Sequence, residues 1–112
     1  MQEADSNRLR HMIDAAAEII TFTEQVTLKE FQKDRKLQLS IIHLLEIIGE
    51  AGSQISNDIT STYPDIPWKS IIGMRNRLIH GYFDVDLVIV WNTATQDIPT
   101  LLHSLQRILE SQ

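Results

Sequence analysis

The chain has no cysteine. That excludes disulfides, thiolate metal sites and cysteine nucleophiles, and suits a cytosolic protein. Four glycines and three prolines are too few for a turn-rich all-β domain. Aromatic residues are 6% of the chain, so leucine and isoleucine must fill most of the interior. No apolar run approaches the ~18 residues of a membrane span. The opening stretch, Met1 to Arg8, lacks the apolar region of a signal peptide. Together these predict a cytoplasmic protein with no membrane partner. Positive charge is also in short supply. Ten Lys and Arg against fifteen Asp and Glu give −5, the wrong overall sign for a nucleic-acid binder.

What is present fits a folded helical domain. Hydrophobic residues make up 43%, too many for disorder, and 112 residues predict one domain spanning 1–112. A domain this small has limited interior volume and often gains stability by self-association. The charge is unevenly spread. From Lys69 to Tyr82 there are three cations (Lys69, Arg75, Arg77) and no acid. That window carries +3 and leaves −8 for the remainder, since the total is −5. A basic patch on an acidic body suits RNA contact, and it equally suits docking of an acidic partner.

Apolar spacing gives the elements. Leu9, Met12, Ile13, Ala16 and Ile20 predict a helix from about Asp5 to Phe22, with Asp5 or Ser6 as its cap. Thr27 to Glu30 has the form of a capping box opening a short helix or turn near Leu28. Leu37, Ile41, Leu44, Leu45, Ile48 and Ile55 predict a long helix over about Asp34–Ile55. Asn57 to Pro67 reads as a loop, and Pro67 suits the first turn of the next helix, which carries Trp68, Ile71, Ile72, Leu78 and Ile79 and stops near Gly81. Asp84 or Asp86 would cap a further helix carrying Leu87, Val88, Val90 and Trp91. Its β-branched run suggests a strand, but a lone short strand has no partner. Pro99 should break or kink the chain, with Asp97 capping a last helix that buries Leu101, Leu102, Leu105, Ile108 and Leu109. The expectation is an all-α bundle of four to five helices.

Met74 to Tyr82 is chemically the richest segment: two cations, an amide, an imidazole and a phenol. Arginine grips phosphate through two parallel donors. Histidine is the side chain best suited to proton transfer near neutral pH. The pair can cleave RNA without a metal, Arg75 neutralising the scissile phosphate while His80 moves a proton. Helix geometry restricts this. Asn76 and His80 share a face, but Arg75 and His80 are five apart, about 140° around a regular helix. They converge on one phosphate only if the helix ends or distorts near Gly81, or if a second protomer completes the site.

Arg75-x4-His80-x-Tyr82 matches the R-x4-6-H-x-Y signature of the HEPN ribonucleases. Ile47-Ile-Gly-Glu-Ala51 resembles the I-G-E-A stretch of their HepT-like branch. Ile66 to Asn76 is similar to that branch's I-P-W-x-x-I-x-G-M-R-N run, and Asp86 with Trp91 to its D-x-x-x-x-W continuation. The resemblance covers nearly the whole chain. It implies an up-and-down helical bundle that dimerises with two motifs facing a shared cleft. It implies a metal-independent endoribonuclease without cofactor, the toxin of a type VII toxin–antitoxin pair. Catalysis would fall to Arg75 and His80, and substrate positioning to Asn76 and Tyr82. The implied partners are an RNA substrate and an MntA-like nucleotidyltransferase antitoxin, which adenylylates Tyr82 and can join the toxin in a hetero-oligomer.

Plainer readings stand beside these. Arg75 and Arg77 also read as exposed helix cations, and His80 as a side chain favoured by a helix C-terminus. Asn76 reads equally as a group orienting substrate or imidazole and as a surface amide. Glu46 and Glu50 read as a solvated or salt-bridged face, and Gly49 and Gly52 as points of close helix approach. His11, His43 and His103 are scattered, without metal-site spacing. Lys29, Lys33, Arg35 and Lys36 form a second basic cluster that reads as a solvated face or an extension of an RNA track. Trp68 and Trp91 read as core or dimer-interface anchors. The alternative function is a non-catalytic helical partner or nucleotide-binding subunit of a minimal nucleotidyltransferase. A docking module has no need of an imidazole, which favours the enzyme.

Overall fold

The computed structural model describes residues 1–80 and 85–112, with the backbone alone for residues 79 and 80. Its elements are α1 (Glu3–Thr23), α2 (Leu28–Lys33), α3 (Arg35–Ser53), α4 (Asn57–Thr62), α5 (Trp68–His80), α6 (Leu87–Asn92) and α7 (Ile98–Glu110). The architecture is all-α, as the periodicity predicts. Helix α3 lies between α1 and α5, and α1 also packs on α7. Contacts between opposite ends make both α3 pairings antiparallel: Arg8 meets Gln54 across α1 and α3, while Gly49 and Gly52 face Arg75 and Ile71 across α3 and α5.

The core follows most of the predicted stripes, with Ile19 sealed on α1 where Ile13 and Ile20 are only half-buried. Leu9, Met12, Ala16 and Ile19 of α1 are fully buried against Ile41, Leu45 and Ile48 of α3 and Leu105 and Ile108 of α7. Fully burying one such side chain contributes about 1.5–3 kcal/mol. Phe31 of α2 is sealed inside, its ring 5.2 Å from that of Trp91. Buried Gln38 donates to the Phe31 carbonyl at 2.9 Å and ties α2 to α3. Trp68 is also a core residue, with its indole N–H satisfied by the Tyr63 carbonyl at 3.0 Å.

Two helix ends behave as the sequence suggests: Thr27 and Glu30 form the reciprocal capping box, and Asp86 caps α6 through Val88 and Ile89. Asp34, which the pattern does not single out as a cap, caps α3 through Leu37. Asp84 lies outside the described residues.

Four expectations need correction. Helix α1 starts at Glu3 behind Gln2 without a side-chain cap. Asp5 instead faces inward, and its carboxylate accepts from Ser56 N–H at 2.9 Å and Ser56 hydroxyl at 2.6 Å. It thereby pins the turn between α3 and α4 onto α1, because a buried carboxylate needs donors wherever the fold offers them. The predicted loop Asn57–Pro67 contains the short helix α4, whose buried Ile59 gives it a core contact. Pro67 stands just before α5 rather than inside its first turn, its carbonyl accepting from Ile71 N–H. Finally, Pro99 does not break the chain. Residues Thr93–Asp97 form a π-helical turn that joins α6 to α7 without interruption, and Asp97 makes no capping bond. Proline lacks an N–H and crowds the preceding turn, and the wider π-turn absorbs that conflict.

Candidate active site

Arg75 is the described residue around which the candidate chemistry gathers. Its stem lies on α5 directly against the backbone of Gly49 on α3. A Cβ at position 49 would stand 2.1 Å from the Arg75 Cβ and 3.1 Å from the Ile71 carbonyl oxygen. Only a residue without a side chain permits this approach. Gly52 lies one turn further along α3, where a methyl would stand 3.3 Å from Ile71 and 3.4 Å from Met12. The glycines thus act as the sequence suggests, as points of close helix approach.

The Arg75 guanidinium is held from two sides. One terminal nitrogen pairs with the carboxylate of Glu50, and the other donates to Asn76 Oδ1 at 2.9 Å. Its Nε is buried and finds no partner among the described residues. Glu50 is therefore salt-bridged, and Asn76 engages the neighbouring arginine. Glu50 is itself oriented: its other oxygen accepts from Gln54 Nε2 at 2.9 Å, and Gln54 Oε1 accepts from Arg8 Nε at 3.0 Å. A polar chain thus runs from Arg75 through α3 to Arg8 on α1.

The basic window is split by helix geometry. Positions 75 and 77 are two residues apart, about 200° around α5. Arg75 turns toward α3, whereas Arg77 lines an apolar cleft with Met74, Leu78, Ile89 and Leu101 on the other side. A second groove runs between α1 and α3, where Arg8, His11, His43, Glu46, Glu50 and Gln54 converge. Sequence spacing could not bring His11 and His43 together, since the two helices meet only in the fold. Among the described residues, no three His, Cys, Asp or Glu side chains gather as a metal site, and no helix is long and apolar enough to cross a membrane.

The remaining motif residues are placed only in part. Helix α5 continues through His80, so the backbone holds Arg75 and His80 on one helical run. Tyr82 lies outside the described residues. Lys29, Lys33, Arg35 and Lys36 are exposed around the start of α3, the end of that helix that points the same way as the C-terminus of α5.

The family model for HepT-like ribonucleases ("Ribonuclease HepT-like") matches residues 12–108. The chain belongs to the HepT-like ribonuclease family. A protein of Thermococcus cleftensis named "Probable ribonuclease HepT" is 37% identical over 108 residues, covering 96% of this chain and 98% of its own. Two Methanocaldococcus jannaschii proteins, each named "Putative RNase", are 37% and 41% identical over 93 residues, covering 83% of this chain and 85% and 80% of theirs. No solved structure matches the chain. The HepT-like match spans the Gly49–Glu50 and Arg75–Asn76 contacts together.

Proposed function

We propose that this protein is a metal-independent endoribonuclease acting as the toxin of a toxin–antitoxin pair. The observation that carries the reading is the placement of Arg75. A motif arginine sits where α5 closely approaches Gly49 of α3, with its guanidinium oriented by Glu50 and Asn76. Relatives of the same length are named as ribonucleases, which supports the same substrate class.

In the proposed reaction the ribose 2′-hydroxyl attacks the adjacent phosphorus and the bond to the 5′-oxygen breaks. The products are a 2′,3′-cyclic phosphate and a 5′-hydroxyl. Arg75 binds the phosphate and stabilises the charge that builds on its oxygens. His80 transfers a proton from the attacking hydroxyl or to the leaving oxygen. Asn76 holds the Arg75 fork, and Tyr82 positions RNA. Two protomers present their motifs to a shared cleft, which resolves the 140° offset between Arg75 and His80 on a continuous helix. Exposed cations around the start of α3 extend the RNA contact. A partner nucleotidyltransferase silences the enzyme by attaching AMP to Tyr82.

The test is cleavage of a mixed RNA pool in excess EDTA by wild type, Arg75→Ala and His80→Ala. Wild type should cleave and leave cyclic phosphate ends. His80→Ala should be slower by roughly 10²–10⁴, the usual worth of a positioned acid or base. A strict requirement for Mg²⁺, or undiminished cleavage by either variant, overturns the mechanism.

A further inference from the structure

We infer that Glu50 is a positioning residue for the reaction: its carboxylate, aimed by Gln54 and Arg8, sets the plane in which Arg75 presents its remaining donors to RNA. This rests on the ribonuclease reading and names a residue that the motif does not contain. The geometry is specific. Each Glu50 oxygen has its own partner, Arg75 on one side and Gln54 on the other. Gln54 is in turn fixed by Arg8. The three residues come from α3 and α1, so the orientation of a side chain on α5 is set by two other helices.

Fold stability gives little reason for such a chain. The Glu50 side chain is 49% exposed and that of Arg75 is 28% exposed. Ion pairs at this degree of exposure contribute little to folding because water and salt screen them. Orientation is a different matter. An arginine carries four rotatable bonds, and Gly49 fixes only the first part of its stem. The fork stays free to swing unless something holds its far end. Glu50 and Asn76 each occupy one hydrogen of the guanidinium's five, leaving donors on both terminal nitrogens for phosphate oxygens. A group pre-aimed at the developing charge loses no reorganisation energy at the moment of reaction. A displacement on the order of 1 Å can cost about 10²-fold in rate.

The test compares wild type, Glu50→Ala and Glu50→Gln by steady-state kinetics, with ¹⁵N NMR of the arginine side chains. Glu50→Ala should lower kcat roughly ten- to hundredfold. KM should stay level or fall, since removing the carboxylate leaves Arg75 more attractive to phosphate. Glu50→Gln keeps an acceptor oxygen and should restore most of kcat. In NMR, the terminal nitrogens of Arg75 should rotate slowly in wild type and rapidly in Glu50→Ala, as those of exposed Arg77 do in both. Unchanged or increased kcat in Glu50→Ala would make Glu50 a bystander or a competitor for Arg75, and the proposal would fall. It would also fall if Glu50→Gln were as impaired as Glu50→Ala, or if Arg75 rotation were alike in wild type and Glu50→Ala. Should Arg75→Ala cleave as fast as wild type, the proposed role of Arg75 in the reaction fails instead, and the NMR comparison still decides whether Glu50 orients Arg75.

Discussion

A methyl group at position 49 would collide with the Arg75 Cβ at 2.1 Å, and neither backbone can yield without parting α3 from α5. Gly49→Ala should therefore destabilise by about 1–3 kcal/mol, the usual cost of overpacking, despite the better helix propensity of alanine. Urea unfolding reads the loss, and cleavage should fall further than stability because Arg75 moves with its helix. An alanine variant as stable and active as wild type would show that the contact is looser. In the proposed scheme, control depends on Tyr82. AMP attached there adds bulk and negative charge that competes with RNA phosphate for Arg75. Tyr82→Phe should escape silencing by the partner nucleotidyltransferase with ATP, while retaining cleavage if the hydroxyl has no chemical role. Mass spectrometry with a parallel RNA assay checks this, and AMP found on another residue refutes it.

Among the elements, α1 and α6 have ends that differ in what holds them. Helix α1 closes into Gln25, whose φ of 58° lies in the left-handed region. Left-handed backbone costs a non-glycine residue roughly 1–2 kcal/mol. Gln25→Gly relieves that strain while adding freedom to the unfolded chain. The net expectation is a gain of about 0.5–1 kcal/mol in urea unfolding, and a loss would mean that Gln25 contributes contacts of its own. Helix α6 depends on Asp86, which accepts from two first-turn amides. Asp86→Ala should cost about 1 kcal/mol as a lost cap, again read by urea. The π-turn before Pro99 is less legible in the sequence than the caps at Thr27 and Asp86. A cap is a local bargain between one side chain and the next three amides. How a proline is accommodated depends on the neighbours that hold the flanking helices in line.

On the scale of the whole molecule, the active assembly is expected to be a homodimer of the 12.9 kDa chain. Helix α5 runs unbroken through His80, which keeps Arg75 and His80 about 140° apart in phase. Light scattering should give twice the chain mass. Mixing Arg75→Ala with His80→Ala subunits should restore part of the cleavage if one protomer's arginine works with the other's histidine. A monomer that cleaves at the full rate rules out the shared cleft.

The sequence alone determined the helical class, the positions of α1, α3, α5 and α7, most of the core and the placement of Arg75 and His80 on α5. Each of these is written in residues three to five apart, where helix periodicity and local capping act. Tertiary structure alone decided the rest. It turned Asp5 from an expected cap into a clasp on Ser56, and gave the opposite faces of Arg75 and Arg77 different surroundings, Glu50 of α3 for one and an apolar cleft for the other. It also chose Arg75 as the partner of Glu50 and linked both to Arg8. Those pairings join residues 25 to 51 positions apart along the chain, except the Glu50–Gln54 step. No periodicity records such contacts, because they exist only once the packing of α3 against its two neighbours has fixed which faces meet.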